Sequence, residues 1–134
     1  MTPTIPRRLA ALALLGAGLA LSSPLALAND PWPSKAIRIV VPYAPGGIGD
    51  IVARMIQPVL QDELKQPVII ENKPGAAGSL GTEFVAKAPP DGYTLLLALA
   101  APQTLNPYIC QVGYVGVKDF APCTLIYTNP LVLM

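Results

Sequence analysis

The chain has 134 residues, with 9 Lys and Arg against 8 Asp and Glu, a formal charge of +1 and no histidine. That length suits about one small domain. The near-neutral balance leaves no electrostatic footprint for nucleic acid and no basic run for anionic lipid, and the missing histidine removes the usual general base at neutral pH, the commonest zinc ligand and any Ser-His-Asp arrangement.

At the N-terminus Arg7 and Arg8 precede an uncharged apolar run over residues 9–21, and Ala26-Leu27-Ala28 is a small-x-small signature. This is the form of a secretory leader cleaved after Ala28. The run falls short of the ~20 residues that span a bilayer. The surroundings of the arginine pair do not support twin-arginine export, which leaves the general route. Loss of 28 of the 134 residues leaves 106 and removes two arginines, so the formal charge passes from +1 to −1. The mean hydropathy of +0.49 is raised by the leader.

The rest of the chain alternates. AIRIVV (36–41) is β-branched and bounded by prolines, and predicts a buried strand. IVARMIQPVLQDEL (51–64) predicts a helix with Ile51, Met55, Ile56, Val59 and Leu60 on one face, kinked at Pro58. PVIIEN (67–72) predicts a second strand. AGSLGTEFVAKA (77–88) predicts a second helix with Leu80, Phe84, Val85 and Ala88 on one side. PPDG (89–92) is a turn by composition. YTLLLAL (93–99) predicts a third strand, residues 100–107 can open a short helix, and CTLIYT (123–128) is a fourth strand candidate. Strand, helix, strand, helix, strand is the pattern of an α/β fold with a mostly parallel sheet. Apolar strands of this kind fit a sheet covered on both faces.

Right-handed crossovers bring every strand-to-helix loop to the same sheet edge. Three loops fall there: YAPGGIGD (43–50), NKPGAAGS (72–79) and LAAPQTLNP (99–107). The first two repeat a theme of strand, Pro-Gly, small residues and helix start. Small residues let a ligand approach the backbone, and a helix N-terminus offers unpaired N–H groups with partial positive charge. Two such loops on one edge point to a small anion, most simply a carboxylate. Taken singly, Gly46, Gly47, Gly75 and Gly78 can equally serve only to turn the chain, and Asp50 can be only a residue that satisfies helix N-terminal donors.

Neither G-x-G-x-x-G nor G-x-x-x-x-G-K-[ST] is present. Asp50 argues against a highly charged phosphate beside it. An α/β enzyme domain that holds a phosphorylated cofactor stays as the second reading, and a sensor lobe as the third. No carboxylate pair is assigned to acid–base work, and no metal or cofactor is expected. Trp32 and Tyr93 read as packing. Glu71, Asp62 and Glu63 read as solvated charges. Cys110 and Cys123 can pair in an exported chain, or stand apart as small hydrophobes.

These stretches also carry a family resemblance. WPSKAIRIVVPYAPGGIGDIVAR (32–54), QPVIIENKPGAAGSLGTEFVAKAPPDGYTLLLA (66–98), LNP (105–107) and VKDFAPCTLI (117–126) resemble the Bug-type solute receptors of tripartite tricarboxylate transporters. The resemblance implies a non-enzymatic, periplasmic, two-lobed receptor with a type II periplasmic-binding-protein-like fold. Such receptors capture small carboxylates for the permease subunits of a membrane transporter. It also implies that Tyr43, Ala44, Gly46, Gly47, Asp50, Gly75, Ala76, Ala77 and Gly78 hold the ligand's carboxylate, largely through backbone groups, and that Thr104 and Asn106 add side-chain contacts. Ala77 stands where the family commonly has glycine, and Val115-Gly116 where it has Asp-Pro. Family members are much longer. The expected organisation is therefore a leader over 1–28 and the N-terminal part of a first lobe over 29–134, without the second lobe and the returning segment.

Overall fold

The computed structural model describes residues 31–128. The expected leader and its cleavage site lie outside them. The elements are β1 (Ile37–Val41), α1 (Ile48–Leu64), β2 (Val68–Asn72), a short turn (Ala76–Gly78), α2 (Ser79–Ala86), β3 (Thr94–Leu96), a wide helical turn (Ala101–Leu105) and α3 (Asn106–Ile109).

The sheet has the order β2-β1-β3, and both pairings are parallel. Ile37 pairs with Val68 and Val41 with Asn72 on one side, while Arg38 pairs with Thr94 and Val40 with Leu96 on the other. Strand order thus reverses at β1, and the crevice beyond its carboxyl end is where ligands bind in open α/β sheets. β1 is the most deeply buried strand, as its central place dictates: Ile37, Ile39, Val40 and Val41 are all buried. The core joins Ile39 and Val41 to Ala53, Val68 and Leu97, with Leu60, Ile70 and Leu95 packed against it.

On both helices the most deeply buried residues are small ones beside the predicted apolar stripe, while of that stripe Ile56, Leu60, Val85 and Ala88 are half-buried and Leu60 packs against the core. On α1 the buried residues are Gly49, Asp50 and Ala53, while Ile51, Met55 and Val59 are exposed, Met55 by 70%. On α2 Ser79, Gly81 and Thr82 are buried, while Leu80 and Phe84 are exposed. Close approach is the reason. A Cβ on Gly49 would lie 3.3 Å from Leu97 Cδ2, and one on Gly81 would lie 2.7 Å from the Lys73 carbonyl and 2.9 Å from Pro42 Cα. The contact face selects residues that take little room, and bulky ones such as Met55 and Leu80 are displaced outward.

α1 ends at Leu64 as expected, with Pro58 inside it. Other expectations are corrected locally. Residues 123–128 form no strand, and Leu125 and Ile126 are exposed there. Cys110 and Cys123 are free and exposed, neither paired nor packed. Glu71 is not simply solvated: it is half-buried, with Arg38 Nε at 3.3 Å and Lys73 Nζ at 2.7 Å.

Candidate functional site

The first loop (residues 42–47) leaves β1 through buried Pro42 and exposes Ala44, Pro45, Gly46 and Gly47. It is closed by a circuit of polar groups. Asp50, in the first turn of α1 and only 4% exposed, accepts from the Gly46 N–H and from Arg54 Nε, both at 3.0 Å on Oδ2. Arg54 Nη2 donates to Asn72 Oδ1 at 3.4 Å, and Asn72 Nδ2 donates to the Tyr43 carbonyl at 3.2 Å. The Arg54 hydrogen bond, then the Gly46 N–H, hold the Asp50 carboxyl down at about 2 against the opposing effect of burial. Asp50 is therefore an ionised latch, with its charge answered from inside the protein. Its other oxygen, Oδ1, is buried without a partner among the described residues.

The second loop follows β2. Four consecutive residues have positive φ: Gly75 at +134°, Ala76 at +46°, Ala77 at +51° and Gly78 at +89°. The Gly78 N–H closes the turn onto the Gly75 carbonyl at 2.9 Å. For two alanines this left-handed turn costs roughly 1–2 kcal/mol per residue, so neighbours must hold it. The Ala77 carbonyl accepts from the Tyr43 hydroxyl at 3.2 Å and from Asn106 Nδ2 at 3.1 Å. One carbonyl thus gathers all three loops. Gly78 cannot be larger: a Cβ would lie 2.8 Å from Pro102 and 3.2 Å from the Tyr43 ring. Burial, with Tyr114 and Tyr127 as secondary influences, raises the Tyr43 phenol above its ordinary range, so it stays a neutral donor.

The third loop runs from β3 into α3. Asn106, 3% exposed, gives its amide hydrogens to the Ala77 carbonyl and, at 2.7 Å, to Ser79 Oγ. Thr104 is exposed, and its hydroxyl donates to the Ala100 carbonyl one turn back, at 2.8 Å. Buried Tyr114 fixes the segment by donating to the Pro102 carbonyl at 2.7 Å, and Gly116 sits against Gln103, whose carbonyl would collide with a Cβ.

The expected residues from the first two loops therefore do come together at the carboxyl edge of β1 and β2, with Asn106 beside them. Arg54, Asn72, Ser79 and Tyr114 were not singled out by the sequence reading. A signal existed for Arg54, which lies one helical turn after Asp50 at a spacing suited to an ion pair. Asn72 and Ser79 bound the second expected loop, and nothing local announces Tyr114. Ala44, Gly46, Gly47, Ala76 and Ala77 are exposed, so the edge is an open face that presents backbone. Two concavities lie elsewhere, one of about 260 Å³ lined by Lys35, Arg38, Asp91 and Tyr93, the other of about 500 Å³ around Tyr108, Gln111 and Tyr114. The first has its cations answered by carboxylates, since Lys35 pairs with Asp91 and Arg38 with Glu71. Among the described residues, no group of three or more His, Cys, Asp or Glu could hold a metal ion.

A parallel sheet with glycine-rich loops along one edge and helices on its flanks is of the periodic-crossover kind found in periplasmic-binding-protein-like lobes, and the solved structures agree. MatC from Rhodopseudomonas palustris, with bound malate, superposes at a TM-score of 0.64, with 38% identity over 68% of this chain and 31% of that one. Rpa4515 of R. palustris, with adipate, gives a TM-score of 0.51 at 36% identity, over 52% of this chain and 23% of that one. Protein BugT of Bordetella pertussis is 37% identical over 133 residues, which is 96% of this chain and 39% of that protein. The family model described as "Tripartite tricarboxylate transporter family receptor" matches residues 52–134. The chain belongs to that family of transport receptors, and it spans less than two fifths of the length of these relatives.

Proposed function

We propose that the chain is the first part of an extracytoplasmic solute receptor that captures small carboxylates and hands them to the permease subunits of a tripartite tricarboxylate-type transporter. The observation that carries this is the shared edge: two loops of small residues, each opening a helix, converge beyond β1 and β2 with their backbone exposed. The N–H groups of Ile48, Gly49 and Asp50 have no partner within α1, as in any first helical turn. With Asp50 engaged by Arg54, a carboxylate meets neutral donors and the positive end of the helix. Grip by neutral donors suits a ligand that must later be released. The malate and adipate of the two Rhodopseudomonas structures support a dicarboxylate as the ligand class.

On this reading residues 1–28 are a leader removed on export to the periplasm. Residues 29–134 supply one side of a cleft whose hinge closure needs a second lobe. The part alone then binds weakly or not at all. Calorimetry on the full encoded protein with malate, adipate and succinate tests the proposal. Saturable one-to-one binding of at least one is expected. Absence of heat with all three at millimolar concentration, from folded protein, would sink the carboxylate reading.

A further inference from the structure

We propose that Tyr43 and Asn106, read from the family resemblance as ligand contacts, are positioning residues. Their task is to hold the left-handed turn of residues 75–78 in the shape that receives the ligand. The inference rests on the carboxylate reading for its meaning, but its geometry stands apart from it.

Donor accounting carries the argument. A carboxylate can only accept, so whatever grips it must have a proton to give. The Tyr43 hydroxyl has one proton, and it goes to the Ala77 carbonyl. Asn106 has two, and both are engaged, one on that same carbonyl and one on Ser79 Oγ. The orientation of the Asn106 amide is fixed by chemistry, because the Ala77 carbonyl accepts and cannot donate. Thr104 has likewise given its proton to Ala100. None of the three side chains keeps a donor for an anion.

The strain gives the reason for two donors on one carbonyl. Ala76 and Ala77 both sit in a backbone region that alanine disfavours, and Ala77 stands at the centre of the turn. One hydrogen bond comes from the β1 loop and the other from the start of α3, so the turn is held from two sides by elements of the fold. A second consequence falls on Ser79, which is 6% exposed at the head of α2. Since its oxygen accepts from Asn106, its own proton is free to point elsewhere, and no described residue takes it. The anion is then left to the exposed backbone and the Ser79 hydroxyl.

Glycine at position 77 separates positioning from contact, because it relaxes the turn without touching Tyr43 or Asn106. The test uses the full encoded protein with Tyr43→Phe, Asn106→Ala and each of these combined with Ala77→Gly. Two readouts are taken: hydrogen exchange of the Gly78 amide, without ligand, and calorimetric affinity for malate, adipate and succinate. Gly78 exchange is expected to rise about five- to tenfold in each single variant and to return towards wild type when Ala77→Gly is added. Affinity is expected to fall and recover in parallel. Unchanged Gly78 exchange in both single variants would overturn the inference. So would affinity loss that Ala77→Gly fails to repair, since that is the behaviour of a direct contact. Tyr43→Phe removes one oxygen atom, so it keeps the test valid if Asn106→Ala does not fold. If wild type binds none of the three probes, the carboxylate reading falls, and the exchange arm still decides whether the two residues position the turn.

Discussion

Asp50 and Arg54 lie one helical turn apart on α1, with Arg54 Nε 3.0 Å from Asp50 Oδ2. The same oxygen takes the Gly46 N–H, so the ion pair is also the clasp of the first loop. Arg54 is half-exposed while Asp50 is buried, so water screens one partner far more than the other. What the pair does for the loop is geometric: it fixes the start of α1 and the direction of the N–H groups there.

A pH dependence follows from that pair. The Asp50 carboxyl is lowered from 3.8 to about 2, chiefly by the Arg54 hydrogen bond. A folded-state value below the unfolded one means stability that is fully present above about pH 4 and is lost as pH falls through about 2. Glu83 and Asp91 are lowered too, by Lys87 and by the Tyr93 N–H respectively, and act in the same direction. Urea midpoints measured from pH 5 to pH 2 are expected to drop steadily. The Asp50→Asn variant should start lower and lose less over that span. An identical pH slope in variant and wild type would remove Asp50 from this account.

Ala77→Gly should stabilise the folded chain. Ala77 sits at φ +51° and ψ +37°, where a Cβ is unfavourable. Replacement relieves roughly 1–2 kcal/mol of native strain and gives back part of it through the freer unfolded chain. The expected net gain is about 0.5–1 kcal/mol in urea unfolding. A loss of similar size would mean that the residue is not left-handed in solution.

The alternation of strands and helices was legible because β-branched runs such as residues 36–41 and 67–72 are separated by Pro-Gly punctuation. The three loops followed from the handedness of crossovers alone. The helix faces were legible only in part, for a physical reason. Periodicity weighs Ile51, Met55, Leu80 and Phe84 heavily, whereas a helix that lies hard against a sheet does so through Gly49, Ala53, Gly81 and Thr82. The convergence on the Ala77 carbonyl was equally hidden, since it links residues 29 and 34 positions apart in sequence. Strand 123–128 was predicted from composition, but β propensity without a paired neighbour makes no ladder.

The close contact of small helix residues with the sheet can be tested by opposite substitutions. Ala53 is fully buried in the core, so Ala53→Leu must push α1 off β1 and should cost about 1–3 kcal/mol or more. Gly81→Ala is smaller but no freer, because its Cβ would meet backbone at 2.7 Å and 2.9 Å, and about 1–3 kcal/mol is expected there also. Met55→Lys, on the exposed side, should stay within about 0.5 kcal/mol in the 134-residue chain. Urea unfolding of the three variants decides it. A large cost for Met55→Lys together with a small one for Ala53→Leu would restore the face that the periodicity predicted.

Tyr114→Phe probes the support of the third loop. Tyr114 is buried, stacks edge-on against Phe120 with centroids 6.3 Å apart, and gives its only hydroxyl proton to the Pro102 carbonyl. Phenylalanine keeps the ring packing and leaves that carbonyl without its donor, so a loss of about 0.5–1.5 kcal/mol is expected in urea unfolding. Pro102 also packs over Gly78, so the consequence should travel. Hydrogen exchange of the Gly78 amide should quicken in the variant, while exchange within β1 follows only the global loss of stability. Equal acceleration at both places would mean that Tyr114 serves the fold as a whole and has no particular hold on the turn.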